Sequence, residues 1–203
     1  MPKLLSTKLE LPRCPHCSVD TPNLNFVANA GTQSFDGRSR YWRIYSCSRC
    51  GGAVCAEAPG WEMDVTAMYP SVTTASSDIP DRPRAYLDQA INALSSPAGA
   101  VMLAASAVDA MLKQRGLTNG TLNARIDQAA SSHLITPEMA KWAHEVRLDA
   151  NDQRHSDQEA DLPTIDQAQK CIDFAMALGQ FLFVLPARVE RGIKNAKGLP
   201  PTT

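Results

Sequence analysis

The sequence predicts a mainly α protein: a five-helix antiparallel bundle preceded by a small β-rich module organised around cysteines. Three observations lead there. Five of the six cysteines fall within the first 55 of 203 residues, and four of these form two C-x-x-C pairs. From residue 84 onward, apolar residues recur at helical spacing, and the connections are short enough to join neighbouring antiparallel helices. The chain is 44% hydrophobic and 20% charged, which at this length supports one buried core plus a small module.

The bulk charge narrows the function classes. A formal net charge of -1 argues against a simple nucleic-acid binder, because phosphate-driven affinity normally shows as a clearly basic domain. No apolar run follows a basic start, so no signal peptide is read. The most apolar late stretch, Phe174 to Ala187, is too short to span a bilayer. A cytoplasmic location is expected, and in that reducing compartment cysteines serve as metal ligands or buried thiols more readily than as disulfides.

Residues 1–63 form the first expected domain. Cys14 and Cys17 make one pair and Cys47 and Cys50 the other, with 29 residues between the pairs. Two residues between thiolates let both sulfurs face one ion at about 2.3 Å, and a tetrahedral zinc ion needs a second pair delivered from elsewhere in the chain. Gly51 and Gly52 permit the tight turn after the second pair. The spacing resembles a zinc ribbon, with strands expected at Asn23 to Ala30 and Arg40 to Ser46 around a turn at Gly31 to Arg38. One structural Zn2+ per chain is expected, since four sulfurs leave no open position for water. Two other readings stay open: a redox pair, although no helical pattern follows either C-x-x-C, and His16 replacing one thiolate. Cys55 and Cys171 read as small buried hydrophobes.

Within the expected hairpin, Arg38 to Tyr45 interleaves cations with aromatics. Arg40, Trp42 and Arg43 are candidate partner-binding residues, because aromatic and arginine side chains anchor protein interfaces and stack on bases. Residues 1–63 carry seven Lys/Arg against five Asp/Glu, a field of +2 that favours a protein partner over nucleic acid. The plainer alternative has alternate strand residues facing the small core while the arginines offset a -2 zinc–thiolate site.

Residues 64–83, rich in Ser, Thr and Pro, read as a linker, and residues 84–203 as the helical domain. Ala85, Leu87, Ile91 and Leu94 give a first helix. Ala98 to Arg115, with Val101, Ala104, Ala105, Val108 and Leu112 on one stripe, gives a second that ends at Gly116. A short helix follows at Leu122 to Ser131. Thr136-Pro137-Glu138 starts another, expected to reach about His155, and the last begins after Pro163-Thr164 and runs to about Pro186.

On an unbroken helix from Thr136, Met139, Trp142, Ala143, Val146 and Ala150 share a buried stripe. Arg147, Asn151, His155 and His144 then fall at about 80° to 160° from it, on one polar strip. Imidazole can take and return a proton near neutral pH, arginine presents a fork of donors to phosphate, and asparagine can orient either. These are the parts of metal-independent RNA cleavage, although a solvated helix face carries the same residues.

A resemblance bears on that choice. Ile135 to Glu138, Trp142 to Arg147, Asn151 and His155, with Ala104 to Lys113 upstream, resemble the core of bacterial HEPN-like helical domains associated with restriction and phage defence. The resemblance covers about residues 83 to 187 and implies an HEPN-like bundle behind a zinc ribbon. It also implies an endoribonuclease effector of toxin or abortive-infection type, with Arg147 and His155 as its catalytic pair beside Asn151. RNA would be the substrate, the ribbon the sensor of a protein regulator, and a homodimer or larger homo-oligomer the active form. Asp109 stands at the family's acidic position; His144 and Glu145 are possible supporting residues. The sequence departs in two places, with seven residues between Arg147 and His155 and with Ala150 where relatives often carry glycine. On a straight helix that interval spans about 12 Å. A non-catalytic interaction or nucleic-acid-binding module of the same fold is the alternative.

Overall fold

A computed structural model describes residues 3–146 and 162–197. Among the described residues the fold combines five helices with a four-stranded antiparallel sheet, so the β contribution is larger than the expected single hairpin. The chain divides into two compact units, Met1–Thr73 and Thr74–Thr203, each with a hydrophobic core of its own.

In the first unit, β1 (Leu24–Gln33), β2 (Ser39–Cys47), β3 (Ala53–Ala58) and β4 (Ala67–Tyr69) pair in sequence order. The β1–β2 hairpin is longer than expected because its turn is tighter. Ser34 donates to the Arg38 carbonyl (2.8 Å), Gly37 donates to that of Ser34 (2.9 Å), and Gly37 sits at φ +81°, a conformation glycine adopts without strain. A bulge between Phe26 and Ala28 shifts the register once, after which Ala28 to Gln33 pair regularly with Ile44 to Ser39. Strand β3 places Val54, Ala56 and Ala58 inward against Leu5, Leu9, Leu11 and Tyr45. Strand β4 falls inside the segment read as a linker. Its three residues are too few for a strand pattern, and the pairing with β3 defines them.

The second unit contains α1 (Asp81–Asn92), α2 (Pro97–Gln114), α3 (Leu122–Ser131), α4 (Pro137–Glu145) and α5 (Ile165–Ala196). Thr121, Thr136 and Thr164 cap α3, α4 and α5, each hydroxyl accepting from the backbone N–H three residues on, at 3.2 Å. Small residues on α2, among them Ala100, Ala104 and Ala107, are fully buried, which lets α1 and α5 pack closely on it. Gly179 serves the same end: a Cβ there would lie 2.6 Å from Ile79 Cδ1.

Helix α5 does not stop near Pro186. A π-helical turn at Gln180–Val184 admits the proline, and the helix continues as Leu185–Ala196. The result is a 32-residue helix that by length and composition is long enough to cross a membrane, whereas the sequence reading had made the segment too short. Its first segment nevertheless buries Ala168, Cys171, Ile172, Phe174, Ala175 and Leu178 in the bundle core.

Candidate functional site

The four paired cysteines converge at one end of the sheet. The Sγ atoms of Cys14, Cys17, Cys47 and Cys50 all lie within 4.8 Å of one another, a set able to hold a metal ion. Cys14 N–H donates to the Val19 carbonyl (3.0 Å) and Ser18 N–H to that of Cys14 (3.0 Å), curling the first knuckle. Cys47 closes β2, and Gly51, at φ +72°, returns its N–H to the Cys47 carbonyl at 2.8 Å. Backbone N–H groups of His16 and Gly52 point at the sulfurs of Cys14 and Cys50, each at 3.4 Å.

The thiols strongly affect one another. Burial pushes Cys17 up to about 12, reinforced by the neighbouring sulfurs of Cys50 and Cys14. At Cys47 burial again acts upward as the largest single effect, but hydrogen bonds from the backbone N–H groups of Cys50 and Arg49 and from the thiols of Cys14 and Cys50 together outweigh it and bring the thiol down to about 7. Four sulfurs this close resist ionising together unless a cation lies among them, so the donor set fits a thiophilic metal. His16 is not part of that set: Nε2 lies 2.8 Å from the Ala53 carbonyl, to which it donates, and the ring lies against Gly52, where a Cβ would come within 2.4 Å of it. It clasps the two knuckles together from outside the sulfur cluster.

The three candidate partner residues on β2 separate by strand parity. Arg43 points inward and is 8% exposed, with Nη1 donating to the Leu5 carbonyl (2.8 Å) and to Glu62 Oε1 (2.9 Å) and its guanidinium 5.0 Å from the Trp61 ring centre. As a partner contact it is corrected, because its hydrogen bonds hold the N-terminal segment to the sheet. Arg40 and Trp42 face outward. Arg40 pairs with Glu57 at 2.9 Å, and Trp42 donates Nε1–H to Thr32 Oγ1 at 3.1 Å beside Tyr69, with ring centres 6.2 Å apart. Arg40 and Trp42 therefore lie on an accessible face of the sheet.

In the second unit Arg147, Asn151 and His155 lie outside the described residues. Helix α4 ends at Glu145 with Val146 at its C-cap. Cys171 Sγ–H donates to the Val146 carbonyl at 3.2 Å, its thiol pushed up to about 11 by burial, and Trp142 meets Phe174 edge-on at 5.3 Å. His144 Nε2 lies 2.8 Å from Asp127 Oδ1, and Glu145 forms an exposed pair with Lys141 at 4.0 Å. Asp109 takes Arg125, a buried cation, on one oxygen and Lys113 (2.6 Å) on the other. That pairing was missed by sequence reasoning, since Arg125 stands in a short helix with no motif to single it out.

A family model described as Domain of unknown function (DUF4145) matches residues 88–196, more than half of the chain, from within α1 to the last residue of α5. The chain belongs to the DUF4145 family. No curated protein and no solved structure matches it. The DUF4145 match includes Arg147, Asn151 and His155, and the cysteine cluster lies in front of the matched residues.

Proposed function

We propose that the chain is a metal-independent endoribonuclease effector, of toxin or anti-phage defence type, whose N-terminal module holds a structural Zn2+ and meets a regulatory protein. The observation that carries this reading is the Arg147-x3-Asn151-x3-His155 segment, which lies inside the DUF4145 region and directly follows a helix end tied to α5 by Cys171. His155 takes the proton of a ribose 2′-hydroxyl, the freed oxygen attacks the adjacent phosphorus, and the P–O5′ bond breaks as a water molecule protonates the leaving 5′-oxygen, its hydroxide being neutralised by the proton held on His155. Arg147 balances charge on the phosphoryl oxygens and Asn151 orients the imidazole. Two subunits would together complete the site.

Zinc suits the cysteine set because all four donors are soft thiolates in a closed arrangement. Its role is to tie the knuckles together, and no catalytic step passes through it. Arg40 and Trp42 would meet the protein regulator.

A second reading rests on Asp109. Its carboxylate is engaged by Arg125 and Lys113, which leaves it less suited to position Arg147 and favours a non-catalytic interaction module of the same fold. One experiment separates the two readings. Purified oligomeric chain, alone and with its cellular partners, is incubated with RNA in magnesium-free buffer without strong chelator. Fragments ending in 2′,3′-cyclic phosphate and 5′-hydroxyl, lost in His155→Ala, support the ribonuclease; RNA left equally intact by both proteins rejects it.

A further inference from the structure

The C-terminal segment of α5 has two unlike faces, and only one is used. No residue from Leu185 to Ala196 is buried, although Leu185, Val189 and Ile193 stand 46%, 53% and 51% exposed at four-residue spacing. At 100° per residue these three fall within about 40° of one line, with Ala196 and Gly192 filling the same stripe. A helix that packs on its own unit normally turns such a stripe inward. Here the attachment comes from the opposite face, where Arg191 grips Asp78 with both guanidinium nitrogens, at 2.7 and 2.9 Å. The stripe is thereby held outward.

Charge around the stripe limits what can cover it. Residues 185–197 carry Arg188, Arg191, Lys194 and Lys197 against Glu190 alone. Arg191 is committed to Asp78, and Lys194 pairs with Glu190 at 2.9 Å. Arg188 and Lys197 flank the stripe on its two sides, at about 100° and 80° from Val189. A second copy would bring the same cationic rims against these. The stripe holds three aliphatic residues with Gly192 and Ala196 beside them, so a neighbouring helix can approach closely, while no aromatic residue lies on it to anchor in a lipid interface.

We propose that this face of α5 is a docking site for an amphipathic helix of a protein partner, apolar on its contacting stripe and bearing Asp or Glu along both flanks. The apolar stripe supplies contact area, and Arg188 and Lys197 select the acidic partner and its orientation. The site is separate from the cysteine module, and the proposal does not depend on the ribonuclease reading.

The test uses the full metal-loaded chain and two fluorescent synthetic helices of about 18 residues, with identical leucine stripes flanked by glutamate in one and by lysine in the other. Anisotropy titration is expected to show the glutamate peptide binding about tenfold or more tightly than the lysine peptide, and less tightly as salt is raised. Val189→Gln, at an exposed position, should weaken that binding about tenfold with the circular dichroism spectrum unchanged, and Arg188→Glu with Lys197→Glu should reverse the preference. Equal binding of both peptides, binding of neither, or indifference to Val189→Gln overturns the proposal. So does a dimer by sedimentation that Val189→Gln converts to monomer, or flotation with phosphatidylserine vesicles where the glutamate peptide fails to bind.

Discussion

Arg115 donates a guanidinium N–H to the carbonyl oxygen of Leu182, the acceptor that Pro186, four residues further along α5, has no N–H to reach. The same guanidinium lies 4.7 Å from the centre of the Phe183 ring. Proline interrupts the helical ladder at one carbonyl, the π turn opens the backbone there, and a cation from the end of α2 fills the opening.

Arg115→Ala is therefore expected to destabilise the helical unit by about 1 to 3 kcal/mol, combining an unsatisfied carbonyl with the lost ring contact. In a Pro186→Ala background the cost should shrink, because the restored N–H can reach Leu182. A double-mutant cycle followed by urea denaturation measures the coupling, and strictly additive effects would count against the pairing.

Cys14→Ser or Cys47→Ser should reduce bound metal to a small fraction of one ion per chain and unfold the first unit, because metal-binding free energy there is folding free energy. The helical unit has its own core and should keep its α-helical circular dichroism. Metal analysis paired with spectroscopy reads both outcomes. Cys55→Ser lies outside the cluster and should retain the ion.

Arg43→Ala should cost the first unit about 2 kcal/mol, since it removes one of the two donors to the Leu5 carbonyl, leaving the Glu62 N–H, and strips the Glu62 carboxylate of its partner. Arg40→Ala, whose side chain is half exposed, should cost well under half of that. Comparing midpoints of the metal-loaded protein in guanidinium chloride tests the ordering.

Acid should release the C-terminal segment of α5. Hydrogen bonds from Arg191 hold the Asp78 carboxyl below its ordinary value of 3.8. A carboxylate with a depressed folded pKa contributes stability fully above its unfolded pKa and loses it as pH falls through the folded one, so the loss occurs below about pH 4. Amide protection factors across residues 185–196, corrected for the intrinsic pH dependence of exchange, should fall on acidification in the wild type. In Asp78→Asn that protection should already be lower at neutral pH and should change less on acidification.

Much of this architecture could be read in the residues. Paired cysteines name their own partners because a metal needs them in twos, and Thr136-Pro137 and Pro163-Thr164 mark helix starts through local chemistry that tertiary structure did not override. Strands β3 and β4 were not legible, since Ala53–Ala58 and Ala67–Tyr69 carry no sustained alternation and depend on pairing with β2 and with each other. Pro186 misled for a definite reason: the rule that proline ends helices assumes an orphaned carbonyl with no substitute donor, and the substitute, Arg115, lies 67 residues upstream of Leu182. Arg43 misled because strand parity cannot say which face is the inner one, and a buried guanidinium with two acceptors resembles an exposed one when only the sequence is read.

Strand β1 sits at the edge of its sheet, and across all ten residues it contains neither a charge nor a proline. Those are the two commonest means by which proteins discourage stray strands from joining an open edge, and here the single bulge at Phe26/Ala28 stands in their place. The flank of the hairpin is thus tolerant of backbone neighbours, which makes the fidelity of its assembly depend on how soon the cysteine knuckles close. Chains made under metal starvation should accumulate as β-rich aggregates, and chains supplied with metal during synthesis should stay dispersed.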